Sequence, residues 1–240
     1  MIDGLLAALG FLTRLPVPGA VFARPGVQAR SLPWYPLVGL LLGALLVALA
    51  WLLRDSGQLL SAALLVAAWA WLTGGLHLDG LADSADAWVG GMGDRARTLE
   101  IMKDPRSGPA GVAAVVLVLM VKFAALASLP APASPALLVA PMLGRAALTG
   151  AFLVTPYVRS GGLGAGLAPA SKLACGMAVL LAVIATAAFV PRGGWLLLVT
   201  IVVFWLWRRA CMRRLGGMTG DACGALAELM EVAVLVTLAV

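Results

Sequence analysis

Charge is scarce in this 240-residue chain: 12% of its residues are Asp, Glu, Lys or Arg and 62% are hydrophobic, against about 25% and roughly 45–50% in an ordinary soluble domain. So few charges cannot cover the wet face of a water-soluble fold, and the class left is a polytopic membrane protein. Aromatic residues are also few, 7% of the chain. Nor does apolar and polar alternation run over segments of about ten residues, which argues against a transmembrane β-barrel and leaves an all-α helical bundle. The three cysteines, Cys175, Cys211 and Cys223, have no paired spacing and no histidine nearby; they read as small apolar fillers rather than a disulfide framework. No internal repeat is visible, so an inverted-repeat transporter gains no support. Met1 to Phe11 carries Asp3, no Lys or Arg and no small-residue cleavage site, so a cleaved signal is not expected and the chain reads as mature from Met1.

What is present in quantity is long apolar sequence. Seven segments can span a bilayer, near 36–53, 59–78, 110–129, 136–156, 172–190, 195–210 and 225–240, each taking about 20 residues to cross roughly 30 Å. Ahead of them, Leu5, Leu6, Leu9, Leu12 and Leu15 recur at helical spacing before Pro16 and Pro18, which predicts an interfacial helix and then a loop across residues 1–35. The net charge of +6 does not point to nucleic acid, because the cations sit in short stretches between apolar segments rather than on one face. Thirteen of them (Arg14, Arg24, Arg30, Arg95, Arg97, Lys103, Arg106, Arg159, Lys172, Arg208, Arg209, Arg213 and Arg214) fall on one side of a seven-span chain, and only Arg54 and Arg192 on the other. That asymmetry predicts a cytoplasmic N-terminus and an external C-terminus. Lys122 and Arg145 fall inside spans and need partners there.

The acidic residues are the more informative ones. Nine of the eleven lie in two stretches, Asp79 to Asp104 and Asp221 to Glu231, both starting on the side with the cations, where a site for cytosolic metabolites belongs. On a helix, Asp83 and Asp86 sit about 40° and −20° around from Asp79, so the three carboxylates share one face. Such a row suits Mg²⁺, which takes a few carboxylates and completes its octahedron with water and substrate phosphates; a solvated face would interleave cations, and the next is Arg95. Further on, Pro105 and Gly108 break the helix, freeing Lys103 and Arg106 to meet phosphate oxygens, with Asp104 able to complete a metal site. Asp221 and Glu228, seven apart at the start of the last helix, read as a second ligand or substrate-binding wall. These stretches, 79–109 and 208–224, are expected to be cytoplasmic active-site loops of a single membrane domain, 1–240. Arg145, beside Gly144 in mid-span, is expected to face inward, and Lys122 to form a structural ion pair. His77, the only histidine, either acts as general base or orients a carboxylate.

Read together, these motifs resemble a known family. Gly-Leu-His77-Leu-Asp79-Gly80-Leu-Ala-Asp83-Ser-Ala-Asp86, Ile-Met-Lys103-Asp104-Pro-Arg106-Ser-Gly108-Pro-Ala-Gly111 and Thr219-Gly220-Asp221-Ala-Cys-Gly224-Ala are similar to motifs of the cobalamin-5′-phosphate synthases, the adenosylcobinamide-GDP ribazoletransferases. Phe11 to Pro16 and Trp34 to Gly39 are similar as well, so the resemblance covers nearly the whole chain. It departs at Leu78, where many relatives carry an acidic residue, and at Pro105, where they carry another residue; position 78 is therefore not a metal ligand here.

The resemblance implies the last assembly step of adenosylcobalamin synthesis. A ribose hydroxyl of α-ribazole, or of its 5′-phosphate, attacks the cobinamide-linked phosphorus of adenosylcobinamide-GDP and GMP leaves. Such a displacement needs positioning and charge neutralisation. Asp79, Asp83 and Asp86 would hold Mg²⁺, with Asp104 or Asp221 in support. Lys103, Arg106 and Arg145 would neutralise phosphate oxygens, Asp221 and Glu228 would line the substrate site, and His77, Asp83 or Asp104 would take the proton. The lipid bilayer is a further partner, nucleic acid is not, and a homo-oligomer or a complex with other corrin-pathway proteins is left open. A CDP-alcohol-type phosphotransferase fits less well, since its signature has Ala-Arg where this chain has Ala82-Asp83. A non-enzymatic transporter would not need two acidic clusters at the membrane boundary.

Overall fold

The computed structural model describes residues 2–130, 134–159 and 161–240. Among them there are helices and short 3-10 turns but no strand, as the composition predicts. Six helical stretches are long and apolar enough to cross a membrane: Val27–Leu52, Pro109–Ser128, Pro135–Val154, Lys172–Phe189, Gly193–Leu215 and Gly220–Ala239. In chain order the helices are α1 (Ile2–Leu12), α2 (Val27–Ser31), α3 (Tyr35–Leu52), α4 (Gln58–Thr73), α5 (Leu76–Gly90), α6 (Arg95–Ile101), α7 (Pro109–Ser128), α8 (Ser134–Val154), α9 (Lys172–Phe189), α10 (Gly193–Leu215) and α11 (Gly220–Ala239).

Three boundaries differ from expectation. The segment expected as one span over 59–78 breaks at Gly74 and Gly75, both left-handed with φ of 64° and 72°. Gly75 N–H donates to the Ala70 carbonyl and Gly74 N–H to that of Trp71, a closing pattern that needs a residue without Cβ. Beyond it α5 runs at 89° to α4, so α5 is not part of a span. The stretch 79–109 is then largely helical, through α5 and α6, rather than a loop. In 208–224 the break is only Gly216–Thr219, because α10 continues to Leu215 and α11 starts at Gly220. At the N-terminus α1 forms as expected, but most of 16–35 is turn and helix packed on α1.

Helices α8 and α11 are the shielded centre. On α11 nearly every residue from Ala222 to Leu235 is buried or half-buried, whereas α7, α9 and α10 expose large side chains such as Leu117, Met120, Leu181, Ile184, Phe189 and Ile201 on their outer faces. Apolar surface displayed this way belongs against lipid. Close backbone approach sets the packing: Gly39 and Gly43 of α3 lie directly on the α8 backbone at Leu137 to Met142, where a side chain would overlap main-chain atoms. Small residues four apart are the usual device for this in membranes. Pro141 also removes the donor that the Leu137 carbonyl would have in a regular helix, and Gly43 packs against that carbonyl. Two apolar clusters result, one containing Leu46, Trp69, Leu137, Leu196 and Val234, the other Leu12, Leu32, Tyr35, Cys211 and Leu226. Both draw on α3, α8 and α11, so the bundle is one body. The three cysteines are free and buried in it, fillers as expected.

Candidate active site

Polar side chains gather where α4, α8 and α10 finish and α7, α9 and α11 begin. The crossing of α5 on α11 builds this end. Gly80 faces the backbone of Asp221 and Gly224 with no room for a side chain, since a Cβ there would lie 2.7 Å from the Asp221 carbonyl oxygen, and a Cβ on Gly224 would in turn meet His77 and Gly80 at 3.3 Å. Two glycines at one crossing bring the α5 and α11 backbones together, and with them His77, Asp79, Asp221 and Cys223, which line a cavity of about 170 Å³. Phe11, Tyr35, Leu148, Phe152 and Leu167 form most of the remaining wall. Asp79 also borders a second, open cleft of about 500 Å³, beside Gly74, Gly75, Leu78 and Ser107.

The expected carboxylate row is present but its members differ. Asp79 and Asp83, one turn apart, have no ion-pair partner among the described residues. Burial pushes the Asp83 carboxyl up to about 6, and the neighbouring Asp79, Asp221 and Asp86 add to that, with Arg159 opposing. Asp221, from α11, accepts a hydrogen bond from Arg159 at 2.8 Å. Asp86 is engaged otherwise: its two oxygens accept from Gly108 N–H at 2.6 Å and Gly111 N–H at 2.8 Å, capping the positive N-terminus of α7. Cβ atoms at those glycines would run into this carboxylate, which is a physical reason for Gly-Pro-Ala-Gly there. No three His, Cys, Asp or Glu among the described residues converge tightly enough to cage an ion. Two unpaired carboxylates facing a third do match the donor set Mg²⁺ uses when phosphates and water complete its shell.

The basic stretch before α7 sits at the surface. Arg106 donates to Asp104 through Nε and a terminal nitrogen at 2.9 and 2.7 Å, so this expected phosphate ligand and the carboxylate expected to support the metal or take the proton pair with each other in the open. The same guanidinium holds the Asp104 carboxyl down at about 2. Lys103 beside them is exposed.

Arg145, Lys122 and Glu228 lie inside the bundle, between the two apolar clusters. Lys122 Nζ is 2.7 Å from Glu228 and 2.5 Å from Glu231, and the other Glu231 oxygen takes Arg145. Lys122 also lies 4.7 Å from the centre of the Trp69 ring. Glu228, expected on a substrate-binding wall, is 4% exposed and belongs to this network of two cations and two anions; the helix that shows Asp221 to the cavity has turned inward by Glu228. Arg145 faces inward as expected and reaches His77, whose Nδ1 is 3.2 Å from its guanidinium. A guanidinium can only donate, so Nδ1 accepts, the ring is neutral, and its proton is on Nε2. Burial first, then Arg145 and Lys122, disfavour the imidazolium. His77 thus offers the cavity a donor rather than a base.

Arg159 and Glu231 are site residues that spacing does not reveal. Arg159 counted only as a loop cation; it is brought to Asp221, 62 positions away, because Val158 N–H donates to Met218 and Met218 N–H to Pro156, tying the chain after α8 to the α10–α11 turn.

These features define a helical membrane protein whose carboxylate-bearing polar site opens at one end of the bundle. Sequence comparison gives it a family: the profile described as cobalamin-5-phosphate synthase matches residues 4–239, and the chain belongs to that family. Curated relatives named adenosylcobinamide-GDP ribazoletransferase include those of Stutzerimonas stutzeri strain A1501, 56% identical over 98% of this chain and 97% of the relative, and of Pseudomonas savastanoi pv. phaseolicola strain 1448A, 54% identical over 97% of each. That of Pseudomonas fluorescens strain Pf-5 is 55% identical, again over 97% of each. No solved structure matches the chain.

Proposed function

We propose that this protein joins adenosylcobinamide-GDP to α-ribazole or its 5′-phosphate, closing the nucleotide loop of the cobalamin product and releasing GMP. The observation that carries this reading is the meeting of Asp79 and Asp221 at the cavity, with Asp83 one turn along α5 from Asp79, on motifs of a chain matched almost end to end by the ribazoletransferases. In the reaction a ribose hydroxyl oxygen bonds to the cobinamide-linked phosphorus, the bond from that phosphorus to the bridging oxygen breaks, GMP departs with that oxygen, and the hydroxyl proton goes to a base.

Asp79 and Asp83, with Asp221 facing them, are the residues that would hold Mg²⁺, which when bound neutralises the diphosphate. A carboxylate of this row that is not bound to the ion would receive the hydroxyl proton. His77, its Nδ1 occupied by Arg145, donates from Nε2 to a substrate oxygen or nitrogen. Arg159, lying against Asp221, and exposed Lys103 would meet phosphate oxygens in this reading. Arg145 acts through His77, Asp86 by fixing α7 against α5, and Glu228 by neutralising Lys122. The site faces the cytoplasm of a bacterial inner membrane in this reading, supported by the cation asymmetry of the loops.

The test is GMP release from nanodisc-held protein given adenosylcobinamide-GDP and α-ribazole, with Mg²⁺ and with a chelator. Release that needs both substrates and the metal is expected. Asp83→Asn should lower turnover at least about 100-fold while the protein still inserts; full activity of this variant would remove Asp83 from the chemistry.

A further inference from the structure

We propose that the smaller cavity walled by Phe11, Tyr35, Leu148, Phe152 and Leu167 seats the flat aromatic base of the nucleoside acceptor, while the larger GDP-linked donor occupies the open cleft on the other side of Asp79. This deepens the proposed function and rests on it. The two spaces differ in character: the cavity measures about 170 Å³ and is walled mainly by apolar side chains, and the cleft measures about 500 Å³ and is bordered by Gly74, Gly75 and Ser107. Asp79 lines both, so substrates entering from the two sides meet at the carboxylates.

Chemistry sorts the occupants. Guanine carries a carbonyl, a ring N–H and an exocyclic amine, which lose water against a wall that is mainly apolar and find fewer partners there than in the open cleft, where water stays at hand. A corrin ring with its amide arms exceeds a chamber this small. Benzimidazole, the base of α-ribazole, is a flat apolar bicycle with a single free ring nitrogen, and that nitrogen only accepts. The cavity answers with a donor, the His77 Nε2–H left over once Nδ1 accepts from Arg145. Three of the wall's rings are held in stacks, Phe11 on Tyr35 with centroids 6.2 Å apart and Phe152 on Tyr157 at 5.8 Å, so they present fixed faces to a planar guest. Phe11, Tyr35 and Leu167 also border a second small chamber toward Phe22, Gln28 and Ser31, which leaves room for substituents on the base.

Two-substrate kinetics on the full-length protein in nanodiscs test this. For Phe11→Ala and Phe152→Ala, both at half-buried positions, the KM for α-ribazole should rise tenfold or more and that for adenosylcobinamide-GDP less than twofold, with Phe11→Leu and Phe152→Leu recovering most of the loss. A rise in donor KM alone, or no change in either, overturns the proposal. On the unmodified protein, free dimethylbenzimidazole should compete with α-ribazole and not with the donor; competition with the donor, or none, overturns it even if the variants fail to fold. Failure of the unmodified protein to release GMP counts against the reaction itself. Saturable binding of labelled α-ribazole then decides the seat separately: binding that dimethylbenzimidazole displaces sustains it, and absence of binding removes it.

Discussion

Glu231 is the residue on which the interior depends most. It is fully buried and accepts from both Lys122 and Arg145, so it offsets two cations that have no water to turn to. Removing one partner of a buried pair leaves an uncompensated charge, at a cost of about 3–5 kcal/mol. Glu231→Gln should therefore destabilise the protein by about that much, read as a lower midpoint of thermal unfolding in detergent, together with lost activity as Arg145 releases His77. Asp83→Asn should leave the same midpoint nearly unchanged, because Asp83 has no ion-pair partner to lose. The contrast separates acidic residues that hold the fold from those offered to substrate, a distinction that composition does not make.

At the scale of elements, Asp86 shows why part of the site was legible and part was not. The helical period correctly puts Asp79, Asp83 and Asp86 on one face of α5, but what that face meets is tertiary: α7 arrives with two free amides, and Asp86 caps them. Asp86→Ala should cost about 1–2 kcal/mol, the usual worth of a helix cap. It should also loosen the segment 103–111, measurable as faster amide exchange there, with a smaller loss of turnover than Asp83→Asn. The same limit applies to Asp221 and Glu228, seven apart and rightly placed on one helix, where burial along α11 sends one to the cavity and the other to Lys122. Arg159 had no local signal at all, since the backbone hydrogen bond from Val158 to Met218 delivers it. Helix existence was read well from hydropathy alone, and the one span that broke did so at Gly74-Gly75, where the Schellman closure turns the chain and creates α5. Filling the α5–α11 crossing with Gly80→Val should force α5 away from Asp221 and abolish GMP release, with α-ribazole binding lost in parallel.

For the whole molecule, the remaining question is how α4 relates to the bilayer. Its 16 residues reach about 24 Å, short of the roughly 30 Å core. If α4 did not cross, the stretch from Arg95 to Arg106 would share a side with Arg54, against the cation asymmetry. Crossing therefore predicts that Ser56→Cys is labelled by an impermeant thiol reagent from outside intact cells and Lys103→Cys only after the membrane is opened. The native cysteines, at most 7% exposed, should add little background; labelling of both positions from one side would show that α4 re-enters instead. The buried network has a further consequence, for biogenesis. Lys122 and Arg145 are delivered to the membrane on α7 and α8, whereas the glutamates that neutralise them arrive only with α11. Until then each cation in the lipid costs at least about 2.5 kcal/mol, so the nascent bundle has reason to linger at the insertion machinery. A chain stalled before α11 would carry Lys122 and Arg145 without their anions, so insertion of α11 is the step that neutralises the interior.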